Sequence, residues 1–246
     1  MTAEPAGNAL DGRRVVITGA ARGLGRSLSL AIAAAGGSIV LSGREMAGLH
    51  AVAATILART RRAAEVVRCD LAEPQSIDAA CQNILEANPT VDVLINNAAP
   101  WLAGGLAELS QAEIVATVAG GLTGTLLMTR GLLAGLIRSP AADIVTIVST
   151  AGLPGPDPAP ASTAFHAIKQ GQAGFCETLR TELKPLATRV AAIFPGDFEN
   201  HEPIEGAPDS QAGGRLTDRD VVAAVLFAIT APRNCCIRSV VLESTA

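Results

Sequence analysis

A glycine-rich run near the amino terminus has the residue types and spacing of a site for a dinucleotide. Residues 15–25 read Val-Val-Ile-Thr-Gly-Ala-Ala-Arg-Gly-Leu-Gly, an apolar stretch that leads through Gly19, Gly23 and Gly25 into a helical pattern. Glycines let the backbone approach a ligand closely, and the free N–H groups at a helix start bind a pyrophosphate. The alternative is a plain Gly-rich turn between a strand and a helix. The glycine run alone does not distinguish the two, so later segments of the sequence are needed.

The end of the second apolar run indicates the kind of dinucleotide. An acidic residue at this point binds the ribose 2′-hydroxyl of NAD and repels the 2′-phosphate of NADP. The sequence there is Ser42-Gly43-Arg44, in which Gly43 takes the place of the acid. Arg44 and Arg22 are able to pair with a phosphate, and Ser42 is able to donate a hydrogen bond to it. The pattern therefore favours NADP(H); the alternative is that Arg44 only begins a solvated helix.

The alternation of apolar and helical patterns predicts the scaffold that positions these residues. Such alternation is typical of a parallel sheet with right-handed crossover connections. We therefore expect an α/β fold with a single domain over residues 1–246, a Rossmann-like, doubly wound parallel sheet of about seven strands with helices on both faces. The predicted strands are 14–18, 38–41, 65–69, 91–95, 143–148, 189–193 and 237–242, and the predicted helices are 23–35, 46–59, 76–87, 111–138, 163–184 and 217–230.

Two loops interrupt this alternation, and both follow the carboxyl ends of predicted strands. Residues 152–161 are rich in proline, which predicts an extended loop. Residues 195–215 are polar and long for a connection, so we expect them to form a lid over a substrate. Ligands of such sheets bind outside the carboxyl ends of the strands, and the two loops are therefore expected to border the site.

The composition excludes several classes of function. Hydrophobic residues make up 49% of the 246 residues, and the net charge of −4 argues against a nucleic-acid partner. The five cysteines show no C-x-x-C spacing, which indicates free thiols in a reducing cytoplasm rather than a disulfide framework or a metal site. Residues 114–137 are apolar, but Arg130 and several glycines among them predict a buried helix, with no membrane as partner.

Further polar residues follow the later strands in a fixed order. They are Asp70, Asn96-Asn97-Ala98-Ala99, Ser149, Lys169 and Pro195-Gly196. Together with the glycine run, they make the chain resemble the short-chain dehydrogenase/reductase family in its single-domain form, over nearly its whole length. The run after the fourth strand is a variant of the Asn-Asn-Ala-Gly motif of that family. Residues 216–242 look like the end of NADP-dependent members that act on hydroxy acids or aldehydes.

The resemblance implies a role for each matching residue. Gly19, Gly23 and Gly25 would line the pyrophosphate, Asp70 would accept a hydrogen bond from the adenine amino group, Asn96 would hold the turn beside the adenosine ribose, Lys169 would bind the nicotinamide ribose, and Pro195 and Gly196 would border the nicotinamide. For Asp70 a plain turn-forming role is the alternative. The other expected cofactor contacts are Thr18, Ala21, Arg22, Leu24, Ser42, Arg44, Leu71, Asn97 and Ala98.

The sequence departs from the family pattern at two catalytic positions. The family has a Tyr proton donor four residues before the Lys, and this chain has Phe165 there and no tyrosine anywhere. The family also has an Asn that holds a water in a proton relay, and the matching position is Gly121. Ser149 and Lys169 remain, and we expect Ser149 to polarise the acceptor. The stretch from Ser149 to Phe165 is longer than usual, which puts the orientation of Ser149 in doubt.

A proton source that replaces the tyrosine is not obvious from the sequence. His166 follows Phe165 directly, but one residue further turns a side chain by about 100° around a helix. A serine hydroxyl of ordinary pKa is a poor proton source, so Ser149 is an unsuitable replacement. The remaining candidates lie in the expected lid and would more commonly form a solvated loop; they are Asp197, Glu199, His201 and Glu202.

Three functions fit these observations. The first is an NADPH-dependent reductase that acts on a carbonyl or imine of a specialised small molecule by a non-tyrosine mechanism. The second is a non-redox enzyme on the same fold, such as a cyclase, dehydratase or isomerase. The third is a catalytically silent partner in a hetero-oligomer. The intact glycine run and Lys169 favour the first over the third. A homodimer or homotetramer is expected through the apolar helices 111–138 and 163–184.

Overall fold

The computed structural model describes residues 9–155, 161–200 and 215–245. Its centre is a sheet of seven strands, all paired in parallel, which confirms the predicted Rossmann-like, doubly wound fold. In chain order the strands of this sheet are β1 (Arg14–Thr18), β2 (Ser38–Gly43), β3 (Glu65–Arg68), β4 (Val93–Asn96), β5 (Asp143–Ile147), β6 (Arg189–Pro195) and, after two short strands given below, β9 (Ser239–Leu242).

The strand order places the functional edge. From one side of the sheet to the other it runs β3-β2-β1-β4-β5-β6-β9, so the chain starts in the middle and winds outward in both directions. The direction of winding reverses between β1 and β4, and ligands of such sheets bind at the carboxyl ends near this reversal. Every residue of β1, β4, β5 and β6 is buried, as expected for parallel strands covered on both faces.

Helices cover both faces of the sheet and complete two hydrophobic layers. One layer holds Leu28, Ile32 and Leu49, and the other holds Met128 and Leu179. Each layer buries the apolar face of its helices against the branched side chains of the strands, which is the main stabilising term of the fold. The helices are α1 (Gly23–Ala34), α2 (Met46–Thr60), α3 (Pro74–Ala87), α4 (Gln111–Val118), α5 (Gly124–Arg138), α6 (Thr163–Leu183) and α7 (Asp218–Thr230).

The predicted continuous helix over 111–138 contains a break that the sequence did not predict. A π-helical turn, Ala119–Thr123, joins α4 to α5. Glycine is needed inside it, because a Cβ on Gly121 would lie 2.3 Å from Cδ1 of Ile168 in α6. The two helices therefore approach each other closely at Gly121, and π turns of this kind are frequent at functional sites.

The same helical run is long and apolar enough to cross a membrane by length and composition alone. Over Gln111–Arg138 the mean hydropathy of the best window is 1.3, and 33% of that window is buried. This is weak support for a membrane span, because the core helix of a soluble protein passes the same test. Here α5 contributes Met128 and Leu132 to the core, which is consistent with a helix packed inside the fold.

Part of the predicted lid over 195–215 is ordered into a small second sheet. Strand β7 (Phe198–Glu199) pairs in parallel with β8 (Leu216–Thr217) directly before α7. Residues 201–214, which include His201 and Glu202, lie outside the described residues. The proline-rich loop begins with a 3-10 turn over Thr150–Gly152, and its residues 156–160 also lie outside them.

Candidate functional site

The glycine run forms a tight turn between β1 and α1. Gly19 and Gly23 have φ angles of +68° and +51°, which glycine adopts without strain. A Cβ on Gly25 would lie 2.1 Å from the carbonyl oxygen of Gly19, so the turn closes only around glycine. The residue before the helix, Arg22, is exposed and makes no side-chain cap bond to α1. The first N–H groups of α1 therefore lack a side-chain acceptor and suit an anionic ligand.

The end of β4 is tied to this turn by hydrogen bonds. The Thr18 hydroxyl accepts from the backbone N–H groups of Asn97 and Ala98, at 3.0 and 3.1 Å. The Asn97 amide donates to the carbonyl oxygen of Thr18 at 2.9 Å. A Cβ on Gly19 would lie 2.9 Å from Cβ of Ala98. Thr18 and Asn97 therefore hold the two strand ends together and give the turn a fixed shape.

The residues expected around the adenosine lie at the ends of β2 and β3. The Asp70 carboxylate accepts from the Ala72 N–H at 3.0 Å and lies 3.9 Å from Nη1 of Arg44, an exposed side chain. Ser42 is only 1% exposed, so in this arrangement its hydroxyl faces the interior instead of a ligand. It lies near Cys69, whose pKa is raised to about 11, mainly by burial.

Gly43 leaves space between β2 and the glycine turn. A Cβ built on it would lie 3.6 Å from Cδ2 of Leu49 and 3.9 Å from Cα of Gly19, which is ordinary contact. A side chain at this position would therefore project toward the turn without a clash. The other predicted contact residues vary in their surroundings: Ala21 packs against Gly48, Leu24 is buried in the core, and the Leu71 carbonyl lies against Gly124.

Ser149 follows the end of β5 by two residues and has a strained conformation. Its φ and ψ angles are +141° and 157°, a region that costs a residue other than glycine about 1–3 kcal/mol. The hydroxyl accepts a hydrogen bond from the Ala151 N–H at 3.2 Å, so it caps the short turn that follows. Non-glycine residues held in this region cluster at active sites, and Ser149 is partly exposed at the edge where the other predicted residues lie.

Lys169 of α6 is buried under the end of β5. Its Nζ donates to the carbonyl oxygen of Ile147 at 2.9 Å and to Oε1 of Gln172 at 3.1 Å. The same nitrogen lies 5.5 Å from the centre of the Phe165 ring. Burial lowers the pKa of Lys169 to about 7, because its charged form is removed from water. Such an amine changes its protonation state near neutral pH.

Phe165 and His166 begin α6 beside this lysine. Phe165 is 9% exposed and packs with Ala151 and Ile168 in a small apolar cluster. Its ring therefore forms an apolar wall between Lys169 and the loop after β5. His166 is half-buried, and its backbone N–H donates to the carbonyl oxygen of Ser162. A catalytic role for its imidazole stays a prediction.

Three residues that sequence reasoning missed complete this side of the site. The Gln172 amide nitrogen donates to the carbonyl oxygen of Gly121 at 3.0 Å and to Oγ1 of Thr125 at 3.2 Å. The Thr129 hydroxyl donates to the Thr125 carbonyl oxygen and accepts from the Asn96 amide at 3.0 Å. Gln172 follows Lys169 by three residues on one helix face, which was a usable signal because that face is otherwise apolar.

The end of β6 closes the edge on the far side. The Gly196 N–H donates to the Leu242 carbonyl oxygen at 2.8 Å, which fixes the backbone after Pro195. The Asn200 side chain lies above the glycine turn, and its Oδ1 would be 3.3 Å from a Cβ on Gly23. Asn200 is thus a further polar group at the turn, and only the folded chain brings it there.

Together these elements can bind a ligand with a diphosphate at one end and a reacting group at the other. The turn after β1 offers backbone donors, and Lys169 offers a buried amine that bonds to the Ile147 carbonyl, two residues before Ser149. Among the residues that the structure describes, there is no cluster of three or more His, Cys, Asp or Glu side chains that could bind a metal.

Comparison with known proteins agrees with this geometry. Residues 13–202 match the family model for short chain dehydrogenase. A 3-oxoacyl-[acyl-carrier-protein] reductase of Synechocystis is 30% identical, over 89% of this chain and 94% of its own length. A metagenomic short-chain oxidoreductase solved in complex with NADP has a TM-score of 0.83 and 28% identity, over 97% of this chain and 100% of its own.

A second solved structure extends the comparison. A short chain dehydrogenase of Burkholderia cenocepacia, also in complex with NADP, has a TM-score of 0.83 at 25% identity and covers 96% of this chain and 98% of its own. The match of the family model spans most of the chain and includes the glycine turn, Ser149 and Lys169. The chain therefore belongs to the short-chain dehydrogenase family.

Proposed function

We propose that this protein is an NADP(H)-dependent reductase that acts on a carbonyl or imine of a small molecule without a tyrosine acid. The observation that carries the proposal is the shared edge of the sheet: the uncapped glycine turn ends β1, and Lys169 bonds to the last carbonyl of β5. The relatives and the family model are named as oxidoreductases and dehydrogenases, which supports a redox activity.

The residues around the turn fit a phosphorylated dinucleotide. The N–H groups at the start of α1 suit the pyrophosphate, and Gly43 leaves the ribose side of the turn free of an acid. Arg22 and Arg44 are exposed cations beside it and suit a 2′-phosphate. Two relatives at 28% and 25% identity were solved in complex with NADP, which supports the same choice here.

The cofactor, when bound, supplies the hydride, and the chain orients the reactants and balances charge. Lys169 would bind the ribose hydroxyls, and its burial excludes water from that contact. Ser149 would donate a hydrogen bond to the carbonyl oxygen of the substrate. Phe165 has no proton to give, so the proton comes from the substrate, from water or from a loop residue. An iminium substrate needs no proton, and a quinone needs less help than a plain ketone.

A non-redox reaction such as a cyclisation, dehydration or isomerisation is the second candidate. The observation in its favour is Phe165, which places a phenyl ring 5.5 Å from the lysine amine in a chain without tyrosine. Such an enzyme would keep the cofactor as a structural element or would have lost it, so the two candidates differ in whether the cofactor is consumed.

The deciding experiment measures NADPH binding directly, together with NADPH consumption on a panel of ketones, quinones and cyclic imines. Consumption with one of these acceptors supports the reductase. Tight binding without consumption, together with a rearranged product, supports the non-redox enzyme. Absence of binding contradicts the reductase and favours a catalytically silent partner. We expect Phe165→Tyr to give no simple gain on the native substrate, because the pocket wall is a buried phenyl ring.

We also propose a homodimer or homotetramer in the cytoplasm. The face of α4 and α5 exposes apolar side chains, of which Val115 is 66%, Ile137 44% and Leu126 37% exposed. Covering such a face favours association. The adjacent thiols Cys235 and Cys236 are free and exposed, which fits a reducing compartment. Light scattering that returns the mass of a monomer would contradict the assembly.

A further inference from the structure

The Gln172 side chain joins Lys169 to the π turn. It is 1% exposed, and it lies on the same face of α6 as Phe165 and Lys169. A buried primary amide must find partners for both its oxygen and its nitrogen. The structure supplies them at Lys169 on one side and at Gly121 and Thr125 on the other.

The orientation of this amide is fixed by what surrounds it. The carbonyl oxygen of Gly121 can only accept a hydrogen bond, so it must face the nitrogen of Gln172, at 3.0 Å. The oxygen of Gln172 is thereby turned toward Lys169, at 3.1 Å from Nζ. The π turn contributes directly, because a Cβ on Gly121 would push Ile168 and α6 away from this contact. Gln172 therefore presents a pure acceptor to the lysine.

We propose that Gln172 is a positioning residue for Lys169: its amide, anchored on Gly121 and Thr125, aims the lysine amine at the cofactor ribose and helps to keep a proton on it. A protonated amine has three N–H bonds. Ile147 and Gln172 accept two of them in the described structure, which leaves the third for a ligand. The role in aiming rests on the proposed cofactor site, whereas the effect on the proton does not.

Few other groups compete for control of this proton. Burial is the larger influence on Lys169, and the titratable neighbour that acts on it is the Cys176 thiol of the same helix. Burial raises the pKa of Cys176, so the thiol stays neutral near pH 7. The described acceptors of the Lys169 amine are the Ile147 backbone carbonyl of β5 and the Gln172 amide oxygen, whose own nitrogen is held by Gly121 and Thr125. Neutral acceptors thus act against the lowering of the Lys169 pKa by burial.

The pKa of Lys169 can be measured selectively, because Lys169 and Lys184 are the only lysines of the chain. In a Lys184→Arg background, lysine labelled with ¹⁵N at Nζ gives a signal of Lys169 alone. A pH titration of the ligand-free protein by NMR then reports the pKa of Lys169. We expect a value of about 7 in the parent protein. No cofactor is present, so this experiment is independent of the proposed reductase activity.

Two substitutions with opposite effects test the proposal. Gln172→Met removes the acceptor at nearly the same volume, and we expect the pKa of Lys169 to fall by about 1–2. Gln172→Glu places a carboxylate there, and we expect a rise of about 1–3. Gln170→Met is the matched control, since Gln170 is exposed on the outer side of α6, and it should leave the titration unchanged.

The outcomes separate the two proposals. If Gln172→Met leaves the pKa of Lys169 at the parental value, Gln172 does not hold the proton and the inference is wrong. If Gln172→Met does not fold, an unchanged pKa in Gln172→Glu overturns it in the same way. If both shifts occur but the parent protein does not bind NADPH, the control of the proton stands, while the aiming role and the proposed reductase fail.

Discussion

Buried charge is handled in opposite ways at the two edges of the central sheet. At the amino edge, Asp143 begins β5 and contacts Arg13 and Arg189 at 2.6 Å and Arg233 at 3.0 Å. At the carboxyl edge, Lys169 lies under the end of the same strand, and its described partners are neutral oxygens. At the amino edge the charge of Asp143 is paired with three arginines, whereas at the carboxyl edge none of the described carboxylates pairs with the charge of Lys169.

The consequences for proton affinity follow from these partners. Burial alone would lower the pKa of Arg189, but the hydrogen bonds and the charge of Asp143 outweigh it, and the pKa is raised. For Lys169 burial is not outweighed, and the pKa falls to about 7. Paired charges of the first kind hold a fold together, and an unpaired buried amine of the second kind is typical of a functional site.

The arginines at the amino edge also satisfy backbone groups that would otherwise be unpaired. Arg189 donates to the carbonyl oxygens of Ile229, Ala231 and Cys235, at and beyond the end of α7. A helix end leaves several carbonyls without partners inside the helix. The cluster therefore ties the last helix to the sheet, and its removal should affect stability before it affects any reaction.

The largest expected effect is on stability, at the amino edge. Asp143→Asn removes the charge that three arginines share, and we expect the free energy of unfolding to fall by about 3–5 kcal/mol. Urea denaturation followed by circular dichroism measures it. The matched control is Asp11→Asn, which breaks the exposed pair with Arg62 and should cost about 1 kcal/mol or less. Equal losses for the two variants would contradict the assignment of the Asp143 cluster as the main clamp.

The second effect is a pH dependence that comes from the carboxyl edge. The pKa of Lys169 is about 7 in the folded protein and ordinary, near 10.5, in the unfolded chain. Between these two pKa values the unfolded state therefore binds more protons than the folded state. The contribution of Lys169 to the free energy of unfolding consequently rises with pH, by up to about 1.4 kcal/mol per pH unit. Below pH 7 Lys169 is protonated in both the folded and the unfolded state, so the folded protein bears the full cost of burying the charge.

Thermal or urea unfolding between pH 7 and 10 measures this slope. In Lys169→Met the rise of stability with pH that comes from the lysine should disappear. The free energy of unfolding of the parent protein should therefore rise relative to that of the variant across this pH window only. The exposed Lys184→Met is the control and should keep the parental slope. A parental slope in Lys169→Met would mean that the buried amine does not titrate near neutral pH.

The two edges also differ in how far the sequence predicted them. The carboxyl edge was largely expected, because strand ends and the order of Asp70, Asn96, Ser149 and Lys169 can be read from one sequence. The Asp143 cluster was missed, because its arginines lie 130, 46 and 90 residues away along the chain. Arginine is also a common surface residue, so its presence at these positions does not indicate a buried ion pair. Contacts between distant, common residue types leave no local signal.

Within the carboxyl edge, the backbone was predicted better than the side chains. The glycine turn follows from the steric freedom of glycine, and the structure has it. The burial of Ser42 was missed because whether a residue near a strand end is covered depends on the folded neighbours, which the sequence pattern does not report. The π turn at Gly121 and the role of Gln172 were missed because they depend on how closely two helices approach, which periodicity does not report.

A third prediction places a charge at the carboxyl edge, where the proposed 2′-phosphate would lie. The space beside Gly43 admits a side chain directed to the glycine turn. Gly43→Asp should weaken NADPH binding about tenfold to a hundredfold through like-charge repulsion, while NADH binding improves. Titration of nucleotide fluorescence measures both affinities.

Gly43→Asn is the matched control, since it has the same size without the charge, and its preference should stay close to that of the parent protein. If Asp and Asn lower the affinity for NADPH equally, the effect is steric and the 2′-phosphate does not lie beside residue 43.

The smallest effect concerns backbone strain, which also distinguishes the two edges. Ser149 at the carboxyl edge has a φ of +141°, whereas Ser139 near the amino edge has a φ of −75°. Substituting each serine by Ala and by Gly removes the hydroxyl in both cases and changes only the backbone freedom. At position 149, Gly should be more stable than Ala by about 1 kcal/mol, because relief of strain exceeds the entropy cost of glycine.

At position 139 the order should reverse, with Gly less stable than Ala by about 0.5–1 kcal/mol, because an ordinary φ gives glycine no advantage there. Denaturation midpoints of the four variants measure both differences. If Gly is also the less stable residue at position 149, the strain at the end of β5 is absent. Ser149 would then be a simple cap of the following turn, and the carboxyl edge would owe its special character to Lys169 and Gln172 alone.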